Sequence, residues 1–181
     1  NNMCWPTRAS LLTGLYPQAA LGKDRTGARG LRSDVHTLPE VLRKKGYATF
    51  MADKWHLSNM KEINGPNSPQ NRGFDQFYGT LEGTSDYFAP FALQLNGVRV
   101  EEEWRDNSEF YYTDAVTNYA LRFLREHRKR GEGEQPFFMY VAYNAAHWPL
   151  HAKPKDIARY QGRFSAGWDR LREERYARMK E

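Results

Sequence analysis

Apolar residues along the chain recur with the spacings of helices and strands in alternation. Between residues 114 and 130 they follow helical spacing, which predicts a packing helix that Thr113 caps and Gly131 ends. Residues 47–52 and 136–143 are short apolar runs of strand length. Because the second run is almost entirely apolar, we expect it to be a central parallel strand covered on both faces.

Local capping and turn signals predict three more elements. Pro6 suits the first turn of a short helix that ends at Gly14, with Leu11 and Leu12 facing a core. Residues 37–40 form a capping box that starts a second helix. The alternating segment 93–100 is centred on Asn-Gly, which predicts a tight hairpin.

The composition is that of a folded protein. Of 181 residues, 40% are hydrophobic and 14% aromatic, which is enough for one domain with a core. Much of the net charge of +5 lies at a helix end, residues 122–130, and no nucleic-acid reading motif is present, so we expect no nucleic-acid partner. No apolar run approaches the roughly 18 residues of a membrane span. The single cysteine excludes a disulfide framework and a multi-thiolate metal site.

Four candidate functional residues lie at places where ligands bind. Cys4 is at the mouth of a helix, where unpaired N–H groups and the helix dipole favour anions, and Arg8 adds a positive charge one turn later. Lys54 and His56 follow the carboxyl end of a predicted strand, which is the ligand-binding edge of open α/β sheets. On residue type alone, a small buried cysteine explains Cys4 equally simply, and ordinary loop residues are the simpler interpretation of Lys54 and His56.

His147 completes the candidate set, because it follows the carboxyl end of the second apolar strand in the same way. For an isolated His-x-Pro the simpler interpretation is a histidine fixed in a turn.

Four stretches of the chain resemble the type I sulfatases. Cys-x-Pro-x-Arg at residues 4–8, followed by Ala-Ser-Leu-Leu-Thr-Gly, resembles the first signature of that family, and residues 46–57 resemble the second. Residues 72–79 and 145–149 are similar to two further family stretches. One position departs from the pattern: the family usually has glycine where this chain has Asp53, a carboxylate that could pair with Lys54 and weaken its attraction for an anionic substrate.

The resemblance implies an α/β fold of the alkaline phosphatase-like type, with a mostly parallel sheet flanked by helices. The chain starts at Asn1, three residues before Cys4, without an initiator methionine, and it stops within a charged helical pattern. We therefore expect residues 1–181 to be part of a single sulfatase catalytic domain, without the first strand with its acidic metal ligands and without the C-terminal portion. The resemblance also implies a periplasmic or secreted protein.

The family mechanism assigns a role to each candidate. A modifying enzyme would oxidise Cys4 to formylglycine (3-oxoalanine), whose hydrate is the nucleophile for hydrolysis of a small-molecule or carbohydrate sulfate ester. Arg8 would steady the hydrate and Lys54 would hold sulfate oxygens. His56 would act as the base, and His147 would bind the substrate and protonate the leaving oxygen. A divalent cation, usually calcium, would be bound by modified Cys4 and by ligands outside the chain, so we expect residues 1–181 alone to be inactive.

Three other functions remain open on the sequence. A formylglycine-dependent phosphonate monoester or phosphodiester hydrolase would carry a similar anion site. A catalytically inactive binding homologue would keep the Cys4 thiol, and Asp53 would neutralise Lys54. A cysteine hydrolase that uses Cys4 with a histidine is the third alternative.

Overall fold

The computed structural model describes residues 3–23, 29–58, 63–129, 131 and 134–181, and these form two compact units that divide after Leu150. The predicted helix end at Arg130 lies outside the described residues. In chain order the first unit contains α1 (Cys4–Thr13), α2 (Pro17–Ala20), β1 (Leu21–Lys23), β2 (Arg29–Leu31), α3 (Leu38–Lys44), β3 (Ala48–Asp53), β4 (Gln76–Gly79), β5 (Gln94–Leu95), β6 (Val98–Arg99), α4 (Glu102–Arg105), α5 (Tyr112–Lys129) and β7 (Phe137–Ala142). The second unit contains α6 (Pro154–Ala158) and α7 (Trp168–Lys180).

A five-stranded mixed sheet organises the first unit, with strand order β6-β5-β4-β3-β7. Strands β4 and β7 both pair in parallel with β3, whereas β5 and β6 extend the sheet as an antiparallel hairpin. The expected α/β fold with a sheet flanked by helices is therefore confirmed. The parallel strands form one half of the sheet, and their carboxyl ends meet at one edge. Strands β1 and β2 form a separate antiparallel pair.

Strand β3 is the centre of the fold and is buried at every position. Its side chains alternate between two hydrophobic clusters. Phe50 faces α5 and lies 6.1 Å from the ring of Phe123, whereas Met51 packs in the cluster that contains Leu12 of α1. Burial of such side chains stabilises the fold by roughly 1.5–3 kcal/mol each. The helices α1 and α5 are thus held on opposite faces of the sheet.

Several sequence predictions hold in detail. The capping box is formed: the Glu40 N–H donates to Thr37 Oγ1 at 3.3 Å, and the Thr37 N–H donates to Glu40 Oε2 at 2.6 Å. Helix α1 spans the predicted residues, and Gly14 follows it with φ 71°. The hairpin turns at Asn96 and Gly97, which both have positive φ, as the Asn-Gly signal requires.

Three predictions about local structure are wrong. Strand β7 is not central among the described strands, because it lies at the sheet edge and its side chains are mostly half-exposed; β3 takes the central place. Thr113 does not cap α5, since the first carbonyl of that helix to accept hydrogen bonds belongs to Tyr111. Leu11 is 60% exposed, because neighbouring residues of a helix point about 100° apart and Leu12 already faces the core.

Candidate active site

Helix α1 brings Cys4 and Arg8 close to the carboxyl ends of the parallel strands. Ala9 and Leu12 are fully buried and fix the helix against the core. Cys4 is half-buried in the first turn, and Met3 at the N-cap makes no side-chain cap hydrogen bond. The predicted nucleophile therefore lies at a helix N-terminus, where backbone N–H groups favour negative charge.

Arg8 ties α1 to the ends of two strands. Its Nη1 donates to the carbonyl of Lys54 and to the hydroxyl of Tyr140, the latter at 3.1 Å, and Nη2 donates to the carbonyl of Ala142 at 3.5 Å. The guanidinium also lies 5.8 Å from the centre of the Tyr140 ring. Tyr140 was not identified from the sequence, because only the pairing of β7 with β3 brings it below Arg8.

Lys54 is the buried cation of the site. It is 3% exposed, and its ammonium lies close enough to Cys4 for the two groups to interact. Burial lowers the pKa of Lys54, and the positive charge of Arg8 lowers that pKa further, while Cys4 and Asp53 act in the opposite direction. A desolvated cation beside the nucleophile is suited to binding an anionic group.

His56 lies two residues beyond Lys54, with φ 59°. Burial, together with the nearby charges of Lys54, Arg8 and His147, lowers the pKa of His56 to about 4. The imidazole is therefore neutral at pH 7 and can accept a proton. A Cβ on Gly83 would lie 2.5 Å from the His56 ring, so glycine at that position leaves room for the imidazole. No sequence signal pointed to Gly83.

His147 approaches from the loop that follows β7. Its backbone N–H donates to Asn144 O at 2.7 Å, and its own carbonyl accepts a hydrogen bond of 2.8 Å from the Tyr87 hydroxyl. Its Nδ1 lies 2.7 Å from the carbonyl of Trp148. Because a carbonyl can only accept, Nδ1 carries a proton and Nε2 is the nitrogen that can exchange a proton with a ligand. The structure thus brings all five predicted site residues together.

Asp53 adopts a left-handed backbone conformation with φ 84°. Glycine adopts that conformation without strain, and aspartate tolerates it better than most other residues. The carboxylate does not turn to Lys54 for its hydrogen bond: Oδ2 accepts the backbone N–H of Asn144 at 2.5 Å, and Oδ1 has no hydrogen-bond partner among the described residues. Burial raises the pKa of Asp53 to about 6.

This raised pKa predicts a stability that falls as the pH rises. The ordinary value is 3.8, so the folded state binds the Asp53 proton more tightly than the unfolded state does. The contribution is fully present below pH 4 and is lost as the pH rises to about 6, at a cost of about 3 kcal/mol by pH 7. We expect Asp53→Asn, which does not titrate, to gain stability over the wild type by that amount between pH 4 and pH 7. Urea unfolding of both proteins measures it, and a pH-independent difference contradicts the prediction.

The described residues do not by themselves form a metal site. No group of three or more histidine, cysteine, aspartate or glutamate side chains among them is arranged to hold an ion. Asp53 directs one oxygen to a backbone N–H, and of the predicted ligands only Cys4 lies in the chain.

In this α/β protein, a cysteine at a helix N-terminus lies beside two cations, Lys54 and Arg8, at the carboxyl ends of parallel strands, an arrangement suited to an anion. The chain belongs to the sulfatase family, whose model, described as Sulfatase, matches residues 1–181. Sulfatases in general use a divalent metal and a formylglycine.

Similar proteins include named sulfatases and structures with carbohydrate ligands. The chain is 31% identical to an uncharacterised sulfatase of Schizosaccharomyces pombe, over 98% of the chain and 36% of the relative, and 31% identical to arylsulfatase J of Mus musculus, over 98% and 29%. The crystal structure of Ps i-CgsB in complex with k-i-k-neocarrahexaose is 31% identical with a TM-score of 0.71, over 87% of the chain and 38% of that structure. The chain therefore spans about a third of the length of these relatives.

Proposed function

We propose that the full-length protein containing residues 1–181 hydrolyses sulfate monoesters. The observation that carries this proposal is that two cations, buried Lys54 and Arg8, lie beside Cys4. The neutral imidazole of His56 lies next to them. A sulfate monoester is an anion that gains charge on its leaving oxygen during hydrolysis, so it needs fixed cations, a proton donor and a base.

Each side chain then has one task. When Cys4 is converted to formylglycine, the hydrate supplies one hydroxyl that attacks sulfur and a second hydroxyl whose deprotonation later releases sulfate. Lys54 binds sulfate oxygens. Arg8 fixes helix α1 to the strand ends and keeps its own positive charge close to the hydrate. In its doubly protonated form, His147 donates the Nε2 proton to the leaving alcohol and returns to the neutral form that carries its proton on Nδ1. His56, neutral at pH 7, takes the proton of the second hydroxyl.

The proposal also covers the domain that contains the chain, the modification of Cys4, the cation and the cellular location. Residues 1–181 are part of a single catalytic domain, Cys4 is the substrate of a formylglycine-generating enzyme, and the cation is calcium with its remaining ligands outside these residues. None of the helices in the described ranges is long and apolar enough to cross a membrane. We propose a periplasmic or secreted location from the family.

The proposed substrate is an aryl or carbohydrate sulfate ester. One relative bears the name arylsulfatase J. A structure titled as BT4656 in complex with its substrate D-glucosamine-2-N,6-O-disulfate is 28% identical, with a TM-score of 0.63, over 89% of the chain and 28% of that structure. These names describe the relatives, and they support a sulfated aromatic or sugar alcohol as the class to test.

His147→Ala is expected to slow hydrolysis unequally across substrates. If His147 protonates the leaving oxygen, its loss matters most for basic alcohols, so an alkyl sulfate should lose about 10²-fold or more in kcat/KM while 4-nitrophenyl sulfate loses much less. Steady-state kinetics with a series of sulfate esters measures the dependence. An equal loss for every ester assigns His147 no proton transfer.

The reaction class is tested with the full-length protein after coexpression with a formylglycine-generating enzyme. We expect turnover of 4-nitrophenyl sulfate and much weaker turnover of an aryl phosphonate monoester. Strong phosphonate or phosphodiester hydrolysis without sulfate hydrolysis overturns the proposal in favour of the other formylglycine-dependent class. An unmodified thiol at Cys4, seen by peptide mass after such coexpression, supports an inactive homologue.

A further inference from the structure

We propose that Asp53 is a positioning residue of this site: its carboxylate accepts the backbone N–H of Asn144 and thereby holds the loop of His147 against the end of β3. The inference rests on the proposed function, because it assigns a task within the same site. It concerns a buried carboxylate to which the proposed mechanism gives no task.

The backbone turns the Asp53 side chain towards the neighbouring strand end. Asp53 is the last residue of β3 and pairs with Ala142, the last residue of β7. Its left-handed conformation, with φ 84°, reverses the usual alternation of side chains at this point. Oδ2 then reaches Asn144, two residues beyond Ala142, at 2.5 Å.

Asn144 distributes this contact through the loop. It is 4% exposed, and its Nδ2 donates to the carbonyl of Ser85 at 3.1 Å. Its own carbonyl accepts the N–H of His147 at 2.7 Å. The chain of hydrogen bonds therefore runs from Asp53 through Asn144 to His147. Lys54 and His56 follow Asp53 directly, so one carboxylate joins the two segments that carry three of the candidate residues.

The hydrogen bond between Asp53 and Asn144 is buried in the protein interior and is not a surface contact. The residue is 1% exposed, and the buried hydroxyl of Tyr112 lies close enough to interact with its carboxyl group. Burial of a carboxylate in such a place is costly, and one of its oxygens has no hydrogen-bond partner in the described part of the chain. Glycine would avoid that cost, so the contact with Asn144 is the feature that the aspartate adds.

The test compares three variants of the full-length protein. Asp53→Gly removes the acceptor and keeps a residue suited to the left-handed conformation, whereas Asp53→Asn keeps an acceptor oxygen without the charge. Ala92→Gly is the matched control, because Ala92 also has positive φ, at 62°, and donates its own N–H to Glu101. Amide hydrogen exchange of residues 143–148 and the leaving-group dependence of kcat are measured for each.

We expect Asp53→Gly to speed exchange of the Asn144 amide by about tenfold to a hundredfold. Its loss of kcat should be greater for an alkyl sulfate than for 4-nitrophenyl sulfate, as for His147→Ala. Asp53→Asn and Ala92→Gly should behave as the wild type in both measurements. This leaving-group dependence separates positioning of His147 from general destabilisation, which would lower all rates alike.

The contrary results are equally definite. If Asp53→Gly leaves both exchange and leaving-group dependence unchanged, or if Asp53→Asn shares its defects, the inference is wrong. If Asp53→Gly does not fold, amide hydrogen exchange of the wild type tests the proposal instead. An Asn144 amide that exchanges as fast as the amides of Ala145 and Ala146 overturns it. A wild type without sulfate hydrolysis removes the proposed function, while the exchange measurement still tests the contact of Asp53.

Discussion

Cys4→Ala is expected to lower sulfate ester hydrolysis by the full-length protein by about 10³-fold or more, because it removes the group from which the nucleophile is made. Alanine suits the helix at this half-buried position, so the fold should remain intact. In the wild type, peptide mass should show that the thiol has been exchanged for an aldehyde. Steady-state turnover of 4-nitrophenyl sulfate and mass spectrometry of the peptide that contains residue 4 measure the two effects.

Leu11→Ala is the matched control on the same helix, since Leu11 is 60% exposed and points away from the core. It should keep wild-type turnover. If Cys4→Ala retains activity comparable with that control, the nucleophile is another group and the proposed mechanism fails. If the wild-type peptide shows a thiol while sulfate is still hydrolysed, the chemistry is that of a cysteine hydrolase.

His56→Gln is expected to separate the two halves of the reaction. The base acts only when sulfate is released, so steady-state turnover should fall by about 10²–10⁴-fold. The first alcohol should still be released rapidly, in an amount equal to the enzyme, while its sulfate stays on the protein. Stopped-flow measurement of alcohol release, followed by intact mass of the protein, reveals both the burst and the retained sulfate.

His36→Gln provides the same exchange at a histidine outside the site, whose side chain is 66% exposed. It should keep wild-type kinetics. A His56→Gln protein that turns over slowly without a burst contradicts the assignment, because His56 would then act before or during the first bond cleavage.

The sequence was informative where local chemistry decides the structure. Pro6 lies in the first turn of α1 and Gly14 follows its end, Thr37 and Glu40 form the capping box, and the Asn-Gly turn forms the hairpin. Each of these depends on neighbours within a few residues, so a pattern is sufficient evidence. The same patterns failed where packing decides: Leu11 and Leu12 are equally apolar, but only one faces the core.

The order of the strands in the sheet could not be predicted from local sequence patterns. Residues 136–143 are as apolar as a central strand, yet the structure gives β3 a partner on each side and β7 only one among the described strands. Strand neighbours are chosen by contacts between distant segments, and the apolar content of one segment carries no information about them.

Sequence patterns were enough to name the candidate residues of the site: a cysteine at a helix N-terminus, an arginine one turn later, and a lysine and two histidines beyond strand ends. Their contacts with one another depend on tertiary packing. It placed Arg8 on the Lys54 carbonyl and Tyr140, surrounded His56 with enough charge and burial to keep it neutral, and turned Asp53 to Asn144 rather than Lys54. The physical reason is that distances and desolvation arise when β3 and β7 pair, which joins residues almost ninety positions apart.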